Sequence, residues 1–334
     1  MHVLRSLDTL PADTRLCVTV GTFDGLHRGH LQALAVLEGV SRRLGGMPTV
    51  ITFDPHPAAI VSGRAPDLIM DPAERLERLA AAGVGITVVQ RFDEAFRRTT
   101  AREFLHRVGA GRNLVALVMT AESAFGRDRA GTLQAVRELS AEDGWEVVEA
   151  PTLELRGGRV SSARIRDLIG AGRLAEANAL LGHRYAVVGD VVHGDARGRD
   201  LGFPTANLAF AEPVCLPPDG IYLARAGWGG DRLVAPRDGA DAVVSLGTRP
   251  TFGGRERVLE VHLLDRDEQL YGQRLRVEVR RRLRGQKRYE RVDDLVEQMG
   301  RDVARARALL AERRRDVDRR VPDRATTGRR STSP

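Results

Sequence analysis

The sequence predicts two architectures in one chain: an α/β half with a parallel sheet covered by helices on both faces, then a β-rich half followed by a helix. Three observations predict it. From Leu16 to about Gly182, short apolar runs alternate with helical patterns. Several of these runs, VTV and LVALV among them, are continuously apolar, as strands buried on both faces are. After Gly182-His183 the rhythm changes, and β-rich runs follow one another, broken by glycine and proline, with nothing of helical length between them.

Leu16–Val20 (LCVTV) reads as a strand, and His30–Leu44 repeats apolar residues at helical spacing. Thr49–Phe53 is strand-like. Pro72–Ala82 is helical, with proline in the first turn, where its missing N–H costs nothing. Gly85–Val89 is a strand, Ala101–Val108 a helix and Leu114–Met119 a continuous apolar strand. A helix at Leu133–Ala141, a strand at Trp145–Val148 and one helical stretch at about Ala163–Leu181 complete this half. From Tyr185 to Val279 the runs YAVVGDVV, GIYLARA, AVVSLG, VLEVHLL and LRVEV fit an antiparallel barrel or sandwich. A helix resumes at Val292–Arg313, with Leu295, Val296, Met299, Val303, Ala306 and Leu310 on one side. The expected domains are residues 1–182 and 183–312, followed by a disordered arginine-rich tail, 313–334.

At 334 residues, 42% hydrophobic and 29% charged, the chain is long enough for two domains. No apolar run approaches the ~20 residues of a membrane span, and MHVLRSLDTLPADTR is no signal peptide, so a cytoplasmic protein is expected. Two cysteines, Cys17 and Cys215, exclude a disulfide framework and a four-cysteine zinc site. Of 52 basic residues only Lys287 is lysine, and its setting, Gly-Gln-Lys-Arg, fits neither a P-loop nor a protein-kinase lysine. ATP would have to be handled by glycine loops, histidines, arginines and metal. The net charge is +7, but eight arginines against three aspartates in residues 313–334 supply +5 of it. That places the charge in the tail and argues against nucleic acid as a partner.

Two constellations carry chemistry. The first strand runs into Gly21-Thr22-Phe23-Asp24-Gly25-Leu26-His27-Arg28-Gly29-His30, and a helix follows. Free N–H groups and the helix dipole favour a phosphate there. His27 and His30 are three apart and can face one ligand, while Gly29 lets a nucleotide approach the backbone. Imidazoles that are cationic or donate N–H suit a pentavalent phosphorus transition state. Val160-Ser161-Ser162-Ala163-Arg164-Ile165-Arg166 adds a serine-capped helix start with two arginines, which read alone is only a capped helix and becomes a pyrophosphate clamp through the resemblance described below.

The second constellation opens the β-rich half. Gly194, Gly198 and Gly202 recur at spacing four, with Arg197 and Arg199 between, in a loop able to wrap a polyphosphate. Thr205 and Asn207 are two apart, so in an extended segment their oxygens face one side. Neutral oxygens together with ATP phosphates are what Mg²⁺ accepts.

The Gly21–His30 string resembles the H-x-G-H signature of the nucleotidylyltransferase superfamily. With Thr52-Phe53-Asp54-Pro55-His56-Pro57 and the Ser161-Ser162 segment, it resembles the bacterial bifunctional riboflavin kinase/FMN adenylyltransferase (FAD synthetase) family. GRDLGFPTANL, Asp219-Gly220-Ile221-Tyr222, LGTRPTFG (246–253), LEVHLLD (259–265) and Gln269-Leu270-Tyr271-Gly272 fall in the order seen in riboflavin kinases, over about residues 183–310. The resemblance implies a Rossmann-like nucleotidylyltransferase domain and a six-stranded antiparallel barrel with a terminal helix. It implies that the barrel phosphorylates riboflavin to FMN with ATP and Mg²⁺, and that the first domain adenylylates FMN to FAD with release of pyrophosphate. On the family pattern His27 and His30 are catalytic, and Gly21, Phe23, Asp24, Gly29, Ser162 and Arg166 bind nucleotide or phosphate. Gly194, Gly198 and Gly202 do so in the barrel, Thr205 and Asn207 hold Mg²⁺, and Glu260 is the general base on the ribityl 5′-hydroxyl. Phe53, Pro55, Glu122 and Phe125 fall where flavin binds.

One stretch departs. The family's Gly-x-(Asp/Asn)-Phe-x-Phe-Gly is Thr120-Ala121-Glu122-Ser123-Ala124-Phe125-Gly126 here, so only Phe125-Gly126 survives. Glu122 is one methylene longer than Asp and, unlike Asn, donates no hydrogen bond. That admits a second expectation, a riboflavin kinase whose first domain is inactive or redirected to another nucleotide or acceptor. A third, from another class, is a flavin-sensing or nucleic-acid-binding regulator that uses the tail. Barrel departures are small: Arg266 replaces an aromatic and Gln269 an acid.

Overall fold

The computed structural model describes residues 1–193, 198, 201–251, 254–266 and 268–320, so Gly194 and the tail beyond Arg320 lie outside the described residues. The first half is a parallel sheet of β1 (His2–Leu4), β2 (Leu16–Val20), β3 (Met47–Asp54), β4 (Ile86–Arg91), β5 (Leu114–Met119) and β6 (Glu146–Glu149). Its order is β1-β4-β3-β2-β5-β6, with every neighbouring pair parallel. The helices are α1 (Arg28–Leu44), α2 (Pro57–Val61), α3 (Pro72–Ala81), α4 (Glu94–Arg97), α5 (Ala101–Val108), α6 (Leu133–Asp143), α7 (Ser162–Gly170) and α8 (Leu174–Leu181). Strand β2 shows why apolar runs are continuous. Leu16 and Val18 pack with Phe104 and Leu105 of α5, whereas Cys17, of opposite parity, packs with Leu34 and Leu37 of α1.

The second half is a closed antiparallel barrel of β7 (Ala186–Val192), β8 (Ala206–Ala209), β9 (Gly220–Trp228), β10 (Asp238–Thr251), β11 (Gly254–Leu263) and β12 (Arg274–Arg284), in the order β10-β11-β8-β7-β12-β9. Residues of one parity, such as Ala224, Val244, Val261 and Val277, fill a common core. Those of the other parity, such as Ile221, Leu223 and Val243, pack against Val303 and Ala306 of the terminal helix α9 (Val292–Arg320).

The halves share one apolar cluster, in which Ile69, Ile165, Leu168 and Leu180 meet Tyr185, Val187 and Leu275. Helix α3 docks the barrel with carboxylates. Asp71, its N-cap, pairs with Arg274 at 2.6 Å, and Glu77 accepts the backbone N–H groups of Leu233 and Val234 at 2.8 and 2.9 Å. Glu74 and Arg276 form a buried ion pair at 3.0 Å. Burial pushes the Glu74 carboxyl up, but Arg276 and Arg78 outweigh it and hold the group below its ordinary value.

Four differences from the sequence reading have physical causes. Strand β1 was not expected, since three residues at a sheet edge carry too little periodicity to register. The single helical stretch at 163–181 is two helices, because the chain turns at Gly172, whose φ is +74°. Helix α9 continues to Arg320, so residues 313–320 are helical rather than part of a disordered tail. Helix α1 begins at Arg28, capped by His27. Cys17 and Cys215 are buried free thiols, and among the described residues no helix is long and apolar enough to cross a membrane.

Candidate active sites

The first site lies at the carboxyl end of β2. The chain leaves β2 through α1 toward β3 and later enters β5 on its other side, so this end is the point where the strand order reverses. The loop from Gly21 to His27 is held in an unusual conformation. Phe23 and Leu26 have φ of +51° and +34°, and burial of both side chains, 3% and 2% exposed, keeps them there. At Gly25 (φ +79°) a Cβ would lie 2.9 Å from Ile69.

His27 caps α1 with its ring: Nδ1 accepts the His30 backbone N–H at 3.2 Å, which leaves the neutral ring's proton on Nε2. The two imidazoles stack with centroids 3.6 Å apart. Nδ1 of His30 is buried and has no hydrogen-bond partner among the described residues. Burial pushes His27 down to about 4, with the charge of Arg159 acting in the same direction. It pushes His30 well below its ordinary range, helped by His27 and Arg75. Of the two forms that the sequence left open, neutral N–H donors are therefore the ones present at neutral pH. A Cβ on Gly29 would meet the His27 ring at 3.3 Å and the Val160 carbonyl at 3.5 Å, so the 160–162 segment lies directly on this turn.

That segment is braced from below. Ser161 caps α7 through the Arg164 N–H, and Ser162 donates to the Asp24 carbonyl at 2.9 Å. Asp24, expected to bind nucleotide, is 1% exposed, and its carboxylate accepts from the Ile69 and Met70 N–H groups and from Arg166 at 2.6 Å. With both oxygens engaged, it holds Arg166 and the loop in place. Arg166 also donates to the Asp67 carbonyl at 2.8 Å, while Arg164 serves the carbonyls of Leu155, Arg156, Gly158 and Arg159.

The sequence reading missed two neighbours, Arg75 and His183, and gave no role to a third, His56 of the Thr52–Pro57 string. Arg75 of α3 is 8% exposed and donates to the Thr22 carbonyl at 2.9 Å, and its Nε is buried without a partner. His183 lies with Nε2 3.0 Å from the Gly25 carbonyl. His56 caps α2, and its pKa is lowered by burial and then by Arg166. A string of neighbours in sequence could not reveal these contacts, which come from distant elements.

The four residues expected beside the flavin divide. Phe53 and Phe125 join Phe92, Phe96 and Phe104 in a chain of ring contacts 4.9–6.2 Å apart. Pro55 follows Asp54 at the end of β3. Glu122 leaves this group and forms an ion pair with Arg159. Thr120 and Ser123 close their own turn, with hydroxyls 2.8 Å apart.

The second site is a cavity of about 670 Å³ between the barrel wall and α9. Its floor is a row of register partners running across five strands: Asn207 opposite Glu260, Glu260 opposite Ser245, Ser245 opposite Ile221, and Ile221 opposite Arg284. Partners in register share a face, here the one opposite Leu259 and Val261. Arg284 binds the buried Asp302 of α9 at 2.7 Å, which clamps the helix over the row. Thr205 and Gly198 line the same cavity, where a Cβ on Gly198 would meet the Phe203 carbonyl at 2.5 Å and the Thr205 hydroxyl at 3.1 Å. Gly202 turns with φ of +80° and is exposed. His262 sits 2.9 Å from the Pro204 carbonyl. Oδ1 of Asn207 is buried and has no hydrogen-bond partner among the described residues, so it fits a hard cation, with the Thr205 hydroxyl as a second neutral oxygen.

Comparison with known proteins covers both sites. A family model described as FAD synthetase matches residues 10–164, and one described as riboflavin kinase matches residues 181–310. The Escherichia coli K12 protein named bifunctional riboflavin kinase/FMN adenylyltransferase is 34% identical over 314 residues, 93% of this chain and 98% of that one. The Bacillus subtilis 168 protein of the same name is 29% identical, over 86% and 90%. A solved Streptococcus pneumoniae structure named as a macrolide-efflux protein superposes with a TM-score of 0.79 at 30% identity, covering 91% of this chain and 98% of that one.

Proposed function

The chain belongs to the bifunctional riboflavin kinase/FMN adenylyltransferase family, and from that premise we propose that its two halves catalyse consecutive steps. The barrel transfers the ATP γ-phosphate to riboflavin, giving FMN. The sheet half joins FMN to the adenylyl group of a second ATP, giving FAD and pyrophosphate. The observation that carries this reading is the match to the Escherichia coli protein over 98% of its length, which spans both halves.

In the barrel, Glu260 takes the proton of the ribityl 5′-hydroxyl as that oxygen attacks the γ-phosphorus and ADP leaves. Its register partner Asn207 and nearby Thr205 would hold Mg²⁺, which neutralises charge on the phosphates when bound. Gly198 keeps the nucleotide loop close to Thr205, and Gly202 turns beside it; Gly194, outside the described residues, is assigned to phosphate binding from the sequence alone. The position of Glu260, in mid-strand on a wall clamped by Arg284 and Asp302, fixes the base before substrate arrives.

In the sheet half, an oxygen of the FMN phosphate forms a bond to the ATP α-phosphorus, and the bond from that phosphorus to the pyrophosphate oxygen breaks. His27 offers Nε2–H, and His30 offers its unpartnered Nδ1 side, to oxygens that gain charge in the transition state. Gly21, Phe23 and Gly29 shape the α1 turn, and Ser162 and Arg166 set the α7 start where the leaving pyrophosphate sits. The phenylalanine chain from Phe53 to Phe125, with Pro55 at its edge, supplies the apolar wall for the flavin ring.

The test is a chromatographic time course of the purified protein with riboflavin, Mg²⁺ and ATP. FMN first and FAD second is the expected result. FMN that accumulates without FAD would confine the activity to the barrel.

A further inference from the structure

We propose that Arg159 is a triphosphate-binding residue of the sheet-half site and that Glu122 is its resting partner, displaced when ATP binds. This rests on the adenylyl-transfer reading of that site. Arg159 immediately precedes Val160, whose carbonyl lies against Gly29, and Ser161-Ser162, which open α7. It therefore stands beside the two helix starts between which a polyphosphate would lie. Three other arginines nearby serve the protein itself: Arg164 four carbonyls, Arg166 Asp24 and Asp67, and Arg75 the Thr22 carbonyl beneath the loop. Arg159 and Glu122 are each about half exposed, 49% and 47%, so their pairing can open at little cost. The positive charge of Arg159 also reaches His27, where it adds to burial in keeping the ring neutral.

Glu122 comes from the stretch after β5 that departs most from the family pattern. A carboxylate beside a triphosphate is repulsive, whereas one paired to an arginine is not. Glu122 cannot hold the guanidinium that ATP also needs without competing for it. The competition slows ATP capture and, after transfer, draws Arg159 back and frees the pyrophosphate.

The test compares wild type, Glu122→Gln, Glu122→Ala, Arg159→Gln and the Glu122→Gln/Arg159→Gln double variant in FAD formation from supplied FMN. Removing the competitor should lower the KM for ATP about two- to fivefold, the range of an exposed ion pair, with kcat unchanged. Arg159→Gln should raise that KM about tenfold, as loss of a charge-assisted contact does. The double variant should match Arg159→Gln, because Glu122 acts through Arg159. Inorganic pyrophosphate should inhibit Glu122→Gln more strongly than wild type, and the gain should shrink with added salt. Riboflavin phosphorylation, in the other site, serves as the internal control. An unchanged or raised KM in Glu122→Gln and Glu122→Ala, with melting temperatures equal to wild type, overturns the exchange. So does an unchanged KM in Arg159→Gln. Wild-type protein that makes FMN but no FAD instead overturns the reading beneath it.

Discussion

Both proposed sites are built around glycines and backbone turns, but they are assembled differently. In the sheet half, ten consecutive residues, Gly21 to His30, supply the loop, the helix start and both histidines. Their conformation depends on what lies beneath: Ile69 under Gly25, Arg75 on the Thr22 carbonyl, Asp24 on Arg166. In the barrel half, Asn207, Glu260, Ser245, Ile221 and Arg284 come from five strands and meet only through register. A contiguous loop can be read in sequence but needs support to hold its shape. A register row is held rigidly by the barrel, yet is scattered along the chain. The sheet site should therefore be sensitive to its surroundings, and the barrel site to its own few side chains.

The largest effect tests whether the sites are chemically separate. Glu260→Gln should cut FMN formation about a thousandfold, the general-base contribution, while FAD formation from supplied FMN stays at the wild-type rate. His30→Ala should do the reverse, lowering FAD formation about a hundredfold through loss of one oriented donor and sparing the kinase. Chromatography of both reactions on both variants gives four rates. Parallel loss in either variant would mean that the two sites are not independent.

What could be read in advance follows the same division. His27 and His30 were legible because helical geometry brings residues three apart together, and Thr205 and Asn207 because extended geometry does the same at two apart. Glu260 was reached only through resemblance, since its pairing with Asn207 depends on a strand register that no local pattern encodes. Asp24 reads as nucleotide contact because its whole string does, and its partners in the fold, Ile69, Met70 and Arg166, lie too far along the chain to be seen there. Arg75 and His183 gave no local signal. Glu122 stood out only by departing from the family pattern, and its partner Arg159 emerged from the fold.

A moderate effect tests whether the halves are one folding unit. Glu77 of α3 accepts two barrel N–H groups, so Glu77→Ala leaves both unsatisfied at a partly buried junction and should cost about 1–3 kcal/mol. Because the halves share one apolar cluster, a single melting transition should move down and both activities should be lost together on heating. Two separated transitions, with only one displaced, would make the halves independent in stability as well as in chemistry.

The smallest effect concerns protons and belongs to the sheet half. His27 is held at about 4 in the folded chain, against an ordinary 6.5, because its buried ring cannot easily carry charge. Between those values the unfolded chain takes up a proton that the folded ring refuses, so stability falls as pH drops through the window. From pH 7 to pH 6 this amounts to on the order of 1 kcal/mol, and it grows toward pH 5. His30, His56 and His183 are displaced in the same direction, burial being the largest cause for each, and add to the slope. His27→Asn isolates one contribution, because asparagine can still accept the His30 N–H at the helix cap but does not titrate. Melting curves at pH 7, 6 and 5 should show a shallower pH dependence in this variant than in wild type. Equal slopes would mean that the His27 ring titrates near its ordinary value, and that burial does not hold it neutral below pH 6.5.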